Sequence, residues 1–490
     1  MNRKLDIVLI NPGDRRQVYQ DLGQDYSGIE PPFWVAVMAA FLRNQGLGVA
    51  IIDANAENIA PAETASRVRE LDPHLAAVIV YGSNPSASTQ NMTIAGRICR
   101  AIKEESDIPV AMGGLHPSAL PARTFTEERV DFVIEGEGPL TLQGLVTLLR
   151  SGGSDFASVP GLWYREEGRV AHTPRAPLIQ DLDQGLPIGA WDLLPMATYR
   201  AHNWHCFDDI YNRSPYGAIY TSLGCPYSCL FCCINAPFGG PGIRYRSPKL
   251  VVDEIGILVE RYGIRYLKII DELFVLNEAH YLTVADLLQE RGYHLNIWAY
   301  ARVDTVKPEN LARMKAGGIN WLALGIESAN PAVRDGASKR MRVKDIGAVV
   351  RAIHDAGMGI IANYIFGLPD DTLATMAETL ALAQELNCEY ANFYCAMAYP
   401  GSKLYETALA NGWELPQEWH GYSQLSRETL PLPTKYLSAR EVLAFRDEAF
   451  HRYFTNPGYL AMIERKFSPQ TRAHVEQMTR MRLKRRILGV

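Results

Sequence analysis

Four of the eight cysteines fall between positions 225 and 233, in Ser222-Leu-Gly-Cys225-Pro-Tyr-Ser-Cys229-Leu-Phe-Cys232-Cys233. The spacing Cys225-x3-Cys229-x2-Cys232 gathers three thiolates around one compact loop, fed by a strand-like run over 217–221. Soft thiolates select zinc, copper(I) or iron–sulfur clusters. Structural zinc usually takes four ligands in two separated pairs, and the sequence has no matching second pair. Ferredoxin-type clusters use four cysteines. Three closely spaced thiols suggest a four-iron cluster with one iron left open for a ligand, which is a catalytic arrangement. Cys233 points away from its neighbour Cys232 and reads as a buried thiol rather than a fourth ligand.

The elements that position this loop run from 211 to 400. Six strand signals, near 218–222, 266–270, 295–300, 321–325, 360–366 and 392–398, alternate with helical runs. Six units rather than eight imply an open, partial (β/α)6 barrel. Barrels of this kind carry chemistry at the carboxyl ends of their strands. Polar residues gather there: the cysteine loop, then Asp271-Glu272, Arg302 and Asp304, Glu327-Ser328, and Asp370-Asp371.

Residues 1–150 alternate strand and helix at a spacing that implies a parallel, doubly wound sheet. The flavodoxin-like strand order is expected, with ligands beyond the strand carboxyl ends at the switch point. A nicotinamide site is excluded by the first turn, Asn11-Pro-Gly-Asp-Arg-Arg, which lacks G-x-G-x-x-G. The strand ends carry Glu30-Pro31-Pro32, Asp53, Gly82-Ser83, Gly113-Gly114 with His116, and Glu135-Gly136-Glu137-Gly138.

The cysteine loop resembles the signature of the radical S-adenosylmethionine (SAM) enzymes. Residues 1–150 resemble the cobalamin-binding domain that precedes many of their cores. The resemblance implies a [4Fe-4S] cluster on Cys225, Cys229 and Cys232, with SAM chelating the open iron. Asp271 or Glu272 would accept from the SAM amino group, Arg302 would meet its carboxylate, and Glu327 its ribose. Barrel-mouth salt bridges are the competing reading for these residues. Gly82, Ser83, Gly113, Gly114, His116, Glu135 and Gly136 would contact cobalamin, small residues letting the flat corrin approach the backbone. The D-x-H-x-x-G motif that supplies cobalt with a histidine is absent, and His116 is the nearby alternative. The implied activity is methylation of an unactivated carbon, by way of a 5′-deoxyadenosyl radical and methylcobalamin, with an external flavodoxin- or ferredoxin-type electron donor. The rival within enzymes is a cyclase or oxidoreductase using the same cofactors, like the oxygen-independent porphyrin-ester cyclase. The rival from another class is a non-catalytic protein whose cysteines bind structural zinc.

A length of 490 residues suggests about three domains, here with a proline-punctuated connector over 151–210 and a small helical region over 401–490. The connector contains a hairpin signal around Glu167-Gly168, and its His202, His205 and Cys206 are candidates for a second metal site. The net charge of −5 makes no case for nucleic acid. Clustered cysteines argue against a disulfide framework and for a reducing, cytoplasmic setting. The basic stretch 478–488 reads as a solvated terminal helix, with peripheral membrane contact as its alternative. The substrate is expected to be a small or lipid-like molecule.

Overall fold

A computed structural model describes residues 5–82, 85–341 and 345–490. Ser83 therefore lies outside the described residues. Five parallel strands form the first sheet: β1 (Ile7–Asn11), β2 (Val49–Asp53), β3 (Leu75–Val80), β4 (Val110–Gly114) and β5 (Phe132–Ile134). Their order is 2-1-3-4-5, as expected for a flavodoxin-like domain. The sequence Leu-Ala-Ala-Val-Ile-Val of β3 is buried throughout, as a central strand covered on both faces requires.

The hairpin expected in the connector belongs instead to this sheet. Strands β6 (Leu162–Glu166) and β7 (Arg169–His172) add to its edge through antiparallel pairing of β5 with β6. Glu167 and Gly168 both have positive φ, 50° and 77°, the two-residue turn that matches strand twist. Antiparallel addition caps the parallel edge, so the connector proper starts only after His172.

The second sheet contains β8 (Tyr216–Ile219), β11 (Tyr266–Ile269), β12 (Asn296–Arg302), β13 (Ile319–Glu327), β14 (Gly359–Phe366) and β15 (Tyr390–Cys395). All neighbours are parallel and in chain order, so the six carboxyl ends share one mouth. Between β8 and β11 a small antiparallel ribbon, β9 (Ser222–Leu223) with β10 (Arg244–Tyr245), pinches off the cysteine loop. The following helix, Pro248–Tyr262, is locally encoded. Ser247 accepts from the Leu250 amide, proline occupies the first turn, and Gly263 ends it at φ 68°.

Three helices, Ala439–Phe454, Pro457–Lys466 and Pro469–Arg480, pack near the carboxyl terminus. The helix expected over 478–488 is not formed: the chain leaves helix at Arg480 and turns into the body. The cause is Arg485, which is fully buried. Its Nε and Nη2 each lie 2.9 Å from an Asp447 oxygen, and Nη1 donates to the Ser426 carbonyl and the Thr429 hydroxyl. A buried guanidinium needs such acceptors, so this part of the basic tail anchors the fold. Among the described residues no helix is long and apolar enough to cross a membrane.

Candidate active site

The cysteine loop is tied down at several points. Gly242 N–H donates to the Cys225 carbonyl, Leu230 N–H to Ala337, and Leu404 N–H to Leu230. Cys225, Cys229 and Cys232 are partly exposed and free, whereas Cys233 is buried. Burial raises all four thiols, Cys225 to about 11. Among the described residues, no group of three or more His, Cys, Asp or Glu side chains converges on a point where one metal ion could sit. A four-iron cluster is gripped at separate corners, so its thiolates need not meet, and three accessible thiols on one pinned loop fit it. The Cβ of Cys233 lies close to Gly401, 3.6 Å from where a Cβ on that glycine would stand.

The acidic pair after β11 divides its roles. Asp271 is fully buried, and its oxygens accept from the Thr221 amide and hydroxyl and the Ser222 hydroxyl, each at 2.6 Å. It welds β8 to β11 and is not free for a ligand, contrary to its place among the candidates. Glu272 is the carboxyl that remains. Burial and the adjacent Asp271 raise it to about 8 against the pull of Lys268, and its charge acts on Cys225, Cys232 and Cys233.

Arg302 and Glu327 make the salt bridges that competed with their ligand roles. Arg302 Nε and Nη2 lie 2.9 and 3.1 Å from Asp304, Nη2 also donates to the Arg340 carbonyl, and its guanidinium stands 4.2 Å over Tyr227. Glu327 meets Lys339 at 2.5 Å, both nearly buried. Burial opposes the Lys339 ammonium, but Glu327 and Cys229 outweigh it and raise its pKa. Lys339 escaped the sequence reading because it lies in no strand end. Two backbone features hold this pair. Glu327 adopts φ 64° next to a break in the β13–β14 register, a strained conformation for a non-glycine residue. A Cβ on Gly325 would come within 2.7 Å of both Glu327 Oε1 and Lys339 Nζ.

The strand ends of the first sheet also differ from expectation. The missing Cβ of Gly114, at φ 138°, would fall 2.3 Å from the Val80 carbonyl, and that of Gly113 3.2 Å from Ile134. These glycines serve close packing within the sheet. His116 is buried, with Nδ1 3.2 Å from the Thr89 hydroxyl and its ring edge-on to Trp419. Burial, with Arg123, lowers its pKa to about 3. Glu135 accepts from Trp163 Nε1 at 2.7 Å and Arg175 Nε at 2.5 Å. The Gly136 carbonyl accepts from the hydroxyls of Tyr81 and Ser118. His202, His205 and Cys206 form no metal site. His202 bonds Gly28 and Glu30, buried His205 bonds Asn296, and Cys206 is buried.

The two halves are joined by ion pairs. Glu137, after β5, pairs with Arg244 of β10 at 2.7 Å, and Arg175 links Glu135 to the Ala236 carbonyl beyond the cysteines. Between the halves lies a cavity of about 290 Å³. It opens past the carboxyl ends of β1 and β3, at Asn11 and Gly82, where the order 2-1-3 places the switch point. It continues into the barrel along Lys268, Trp298, Tyr300 and Tyr394. Of the candidate site residues that the structure describes, only Gly82 lines it. His202 lines it too, but both its ring nitrogens are engaged, so no described histidine of the lining is free to ligate a metal. With its aromatic and polar side chains, the lining would suit contact with a planar cofactor along one edge.

Two family models match the chain: a B12 binding domain over residues 19–146 and the radical SAM superfamily over 219–383. An uncharacterized methyltransferase of Pyrococcus horikoshii is 31% identical over 431 residues, covering 88% of this chain and 89% of that protein. The anaerobic magnesium-protoporphyrin IX monomethyl ester cyclase of Rubrivivax gelatinosus is 26% identical over 408 residues, 82% of this chain and 69% of its own. The structure of the methyltransferase TsrM from Kitasatospora setae, with cobalamin and a [4Fe-4S] cluster bound, superposes with a TM-score of 0.68. It is 19% identical, and the match covers 95% of this chain and 89% of that one, a likeness of fold.

Proposed function

This chain belongs to the cobalamin-dependent radical SAM methyltransferase family, and on that premise we propose that it methylates an unactivated carbon of a small molecule. The observation that carries this reading is a cavity lined from both domains, with Asn11 and Gly82 at the switch point on one side and Lys268, Trp298 and Tyr300 of the barrel on the other. When bound, the cluster with SAM supplies a 5′-deoxyadenosyl radical and cobalamin supplies a methyl group.

In this reading Cys225, Cys229 and Cys232 hold the cluster, and Cys233 packs behind it. Glu272 accepts from the SAM amino group. Arg302, held by Asp304, supplies fixed positive charge for the carboxylate. The Glu327–Lys339 pair faces the ribose, its glutamate presented by the strained turn. Gly82 borders the corrin. The aromatic wall of Trp34, Tyr81, Trp298 and Tyr300 excludes water, which a radical at a carbon centre requires. Electrons come from an external flavodoxin- or ferredoxin-type donor.

The sequence similarity to the Rubrivivax cyclase supports a second reading, ring closure or oxidation with the same cofactors. Product analysis separates them. Methylation yields S-adenosylhomocysteine and 5′-deoxyadenosine together for each product formed, whereas cyclisation need not form S-adenosylhomocysteine. A turnover that releases only 5′-deoxyadenosine contradicts the methylation reading.

A further inference from the structure

Arg15 lines the cavity just beyond β1, outside the segment matched by the B12 model. Its Nη1 is buried and has no hydrogen-bond partner. The carboxylates nearest it are already committed. Asp14 accepts from the Gln17 amide, and Asp53 accepts from Asn11, Ala56 and Tyr199. The other charged groups of the lining are paired: Lys268 with Glu30, and Arg446 with Asp447.

Two further guanidiniums stand behind it. Arg200 donates to the carbonyls of Gly23 and Gln24, and its Nε is also buried and unpartnered. Arg213 donates to the carbonyls of Ala201, Asp25 and Ser27. Burial lowers the pKa of all three, and repulsion adds to it, from Arg15 on Arg200 and from Arg200 on Arg213. Leaving a buried charged donor unsatisfied is costly, and an oxyanion at this end of the cavity would satisfy it. The same cavity carries the aromatic side chains of Trp34, Tyr81, Trp298 and Tyr300.

We propose that the substrate is an organic anion whose carboxylate or phosphate is held by Arg15 while its apolar body lies against the aromatic wall. The proposal rests on reading this cavity as the substrate chamber. An oxyanion has a second source, the phosphodiester of cobalamin's nucleotide tail, and the test separates the two.

The full chain, reconstituted with cluster and cobalamin, is titrated calorimetrically with inorganic phosphate and with phenyl phosphate at fixed ionic strength. Phenyl phosphate is expected to bind about tenfold or more tightly, as burial of a ring against aromatic side chains implies. Arg15→Gln is expected to weaken both by about tenfold or more, as loss of a charge-assisted hydrogen bond implies, with Arg15→Lys between, and all three proteins retaining cobalamin. Equal anion binding by wild type and Arg15→Gln overturns the proposal, as does no binding by wild type. An Arg15→Gln protein that loses cobalamin but keeps cobinamide, which lacks the phosphodiester, assigns Arg15 to the cofactor and also overturns it. Failure of the chain to take up cobalamin or iron appears in the absorbance spectrum beforehand and contradicts the family-based reading, not the anion site.

Discussion

Glu30 of the cobalamin-binding half and Lys268 of the barrel meet 3.0 Å apart in the cavity that both halves line, at 7% and 2% side-chain exposure. Lys268 also lies 4.7 Å over the Trp298 ring, so its ammonium is held by charge on one side and by a ring face on the other. The pair ties the two halves together across that cavity.

Removing one partner leaves the other's charge buried against weaker contacts, His202 for Glu30 and the Trp298 ring for Lys268. Lys268→Met or Glu30→Gln is therefore expected to cost about 3–5 kcal/mol, and the double substitution less than the sum of the two. Denaturant unfolding of the three variants checks this. Additive losses would mean that the two residues do not act as a pair.

The thiol loop yields the sharpest contrast between neighbours. Cys225→Ala, Cys229→Ala and Cys232→Ala are each expected to abolish the iron–sulfur absorbance after anaerobic reconstitution, while Cys233→Ala retains iron. Iron and sulfide assays decide it. Loss of iron in Cys233→Ala would make that residue a ligand.

Much of this site was legible in sequence, and the reason is spacing. Cys225, Cys229 and Cys232 are adjacent in the chain, and the strand–helix rhythm placed the six carboxyl ends correctly. What sequence left open was the choice between neighbouring carboxylates, because sequence does not show which partner a carboxylate has. Asp271 was indistinguishable from Glu272 until the Thr221 and Ser222 hydroxyls were seen on it. Lys339 lies far from its strand end, and Arg15 opens a short helix, Arg15–Tyr19, that matched no motif. The terminal basic run looked solvated because nothing in its own residues reveals that Arg485 has Asp447 waiting inside the fold.

That buried pair gives a pH dependence. Despite burial, the Arg485 and Arg446 guanidiniums hold Asp447 below the usual carboxylate range. A carboxylate depressed in the fold stabilises it above the unfolded pKa of about 3.9 and loses that contribution as pH falls through the folded value. Asp447→Asn is expected to lower the melting temperature at pH 7, with the gap to wild type closing below about pH 4. A gap independent of pH would contradict the ionic role.

Glu272 should show the opposite sign in binding. With its pKa raised to about 8, it gains charge as pH rises through that value and becomes a stronger acceptor for the SAM amino N–H. SAM affinity, measured by equilibrium dialysis on the reconstituted protein, is expected to rise between pH 7 and 9. Glu272→Gln is expected to bind more weakly and to lose that rise. An unchanged profile in Glu272→Gln would remove the residue from the SAM site.

The central claim, that one chamber serves both SAM-dependent chemistries, can be tested without knowing the substrate. The anaerobically reconstituted chain is incubated with SAM, a strong reductant and cobalamin, and the nucleoside products are quantified by chromatography. S-adenosylhomocysteine and 5′-deoxyadenosine should both form. The former should disappear when cobalamin is omitted, and the latter in Cys229→Ala. SAM recovered intact from a protein loaded with both cofactors, or 5′-deoxyadenosine alone whatever the cobalamin content, would contradict the account.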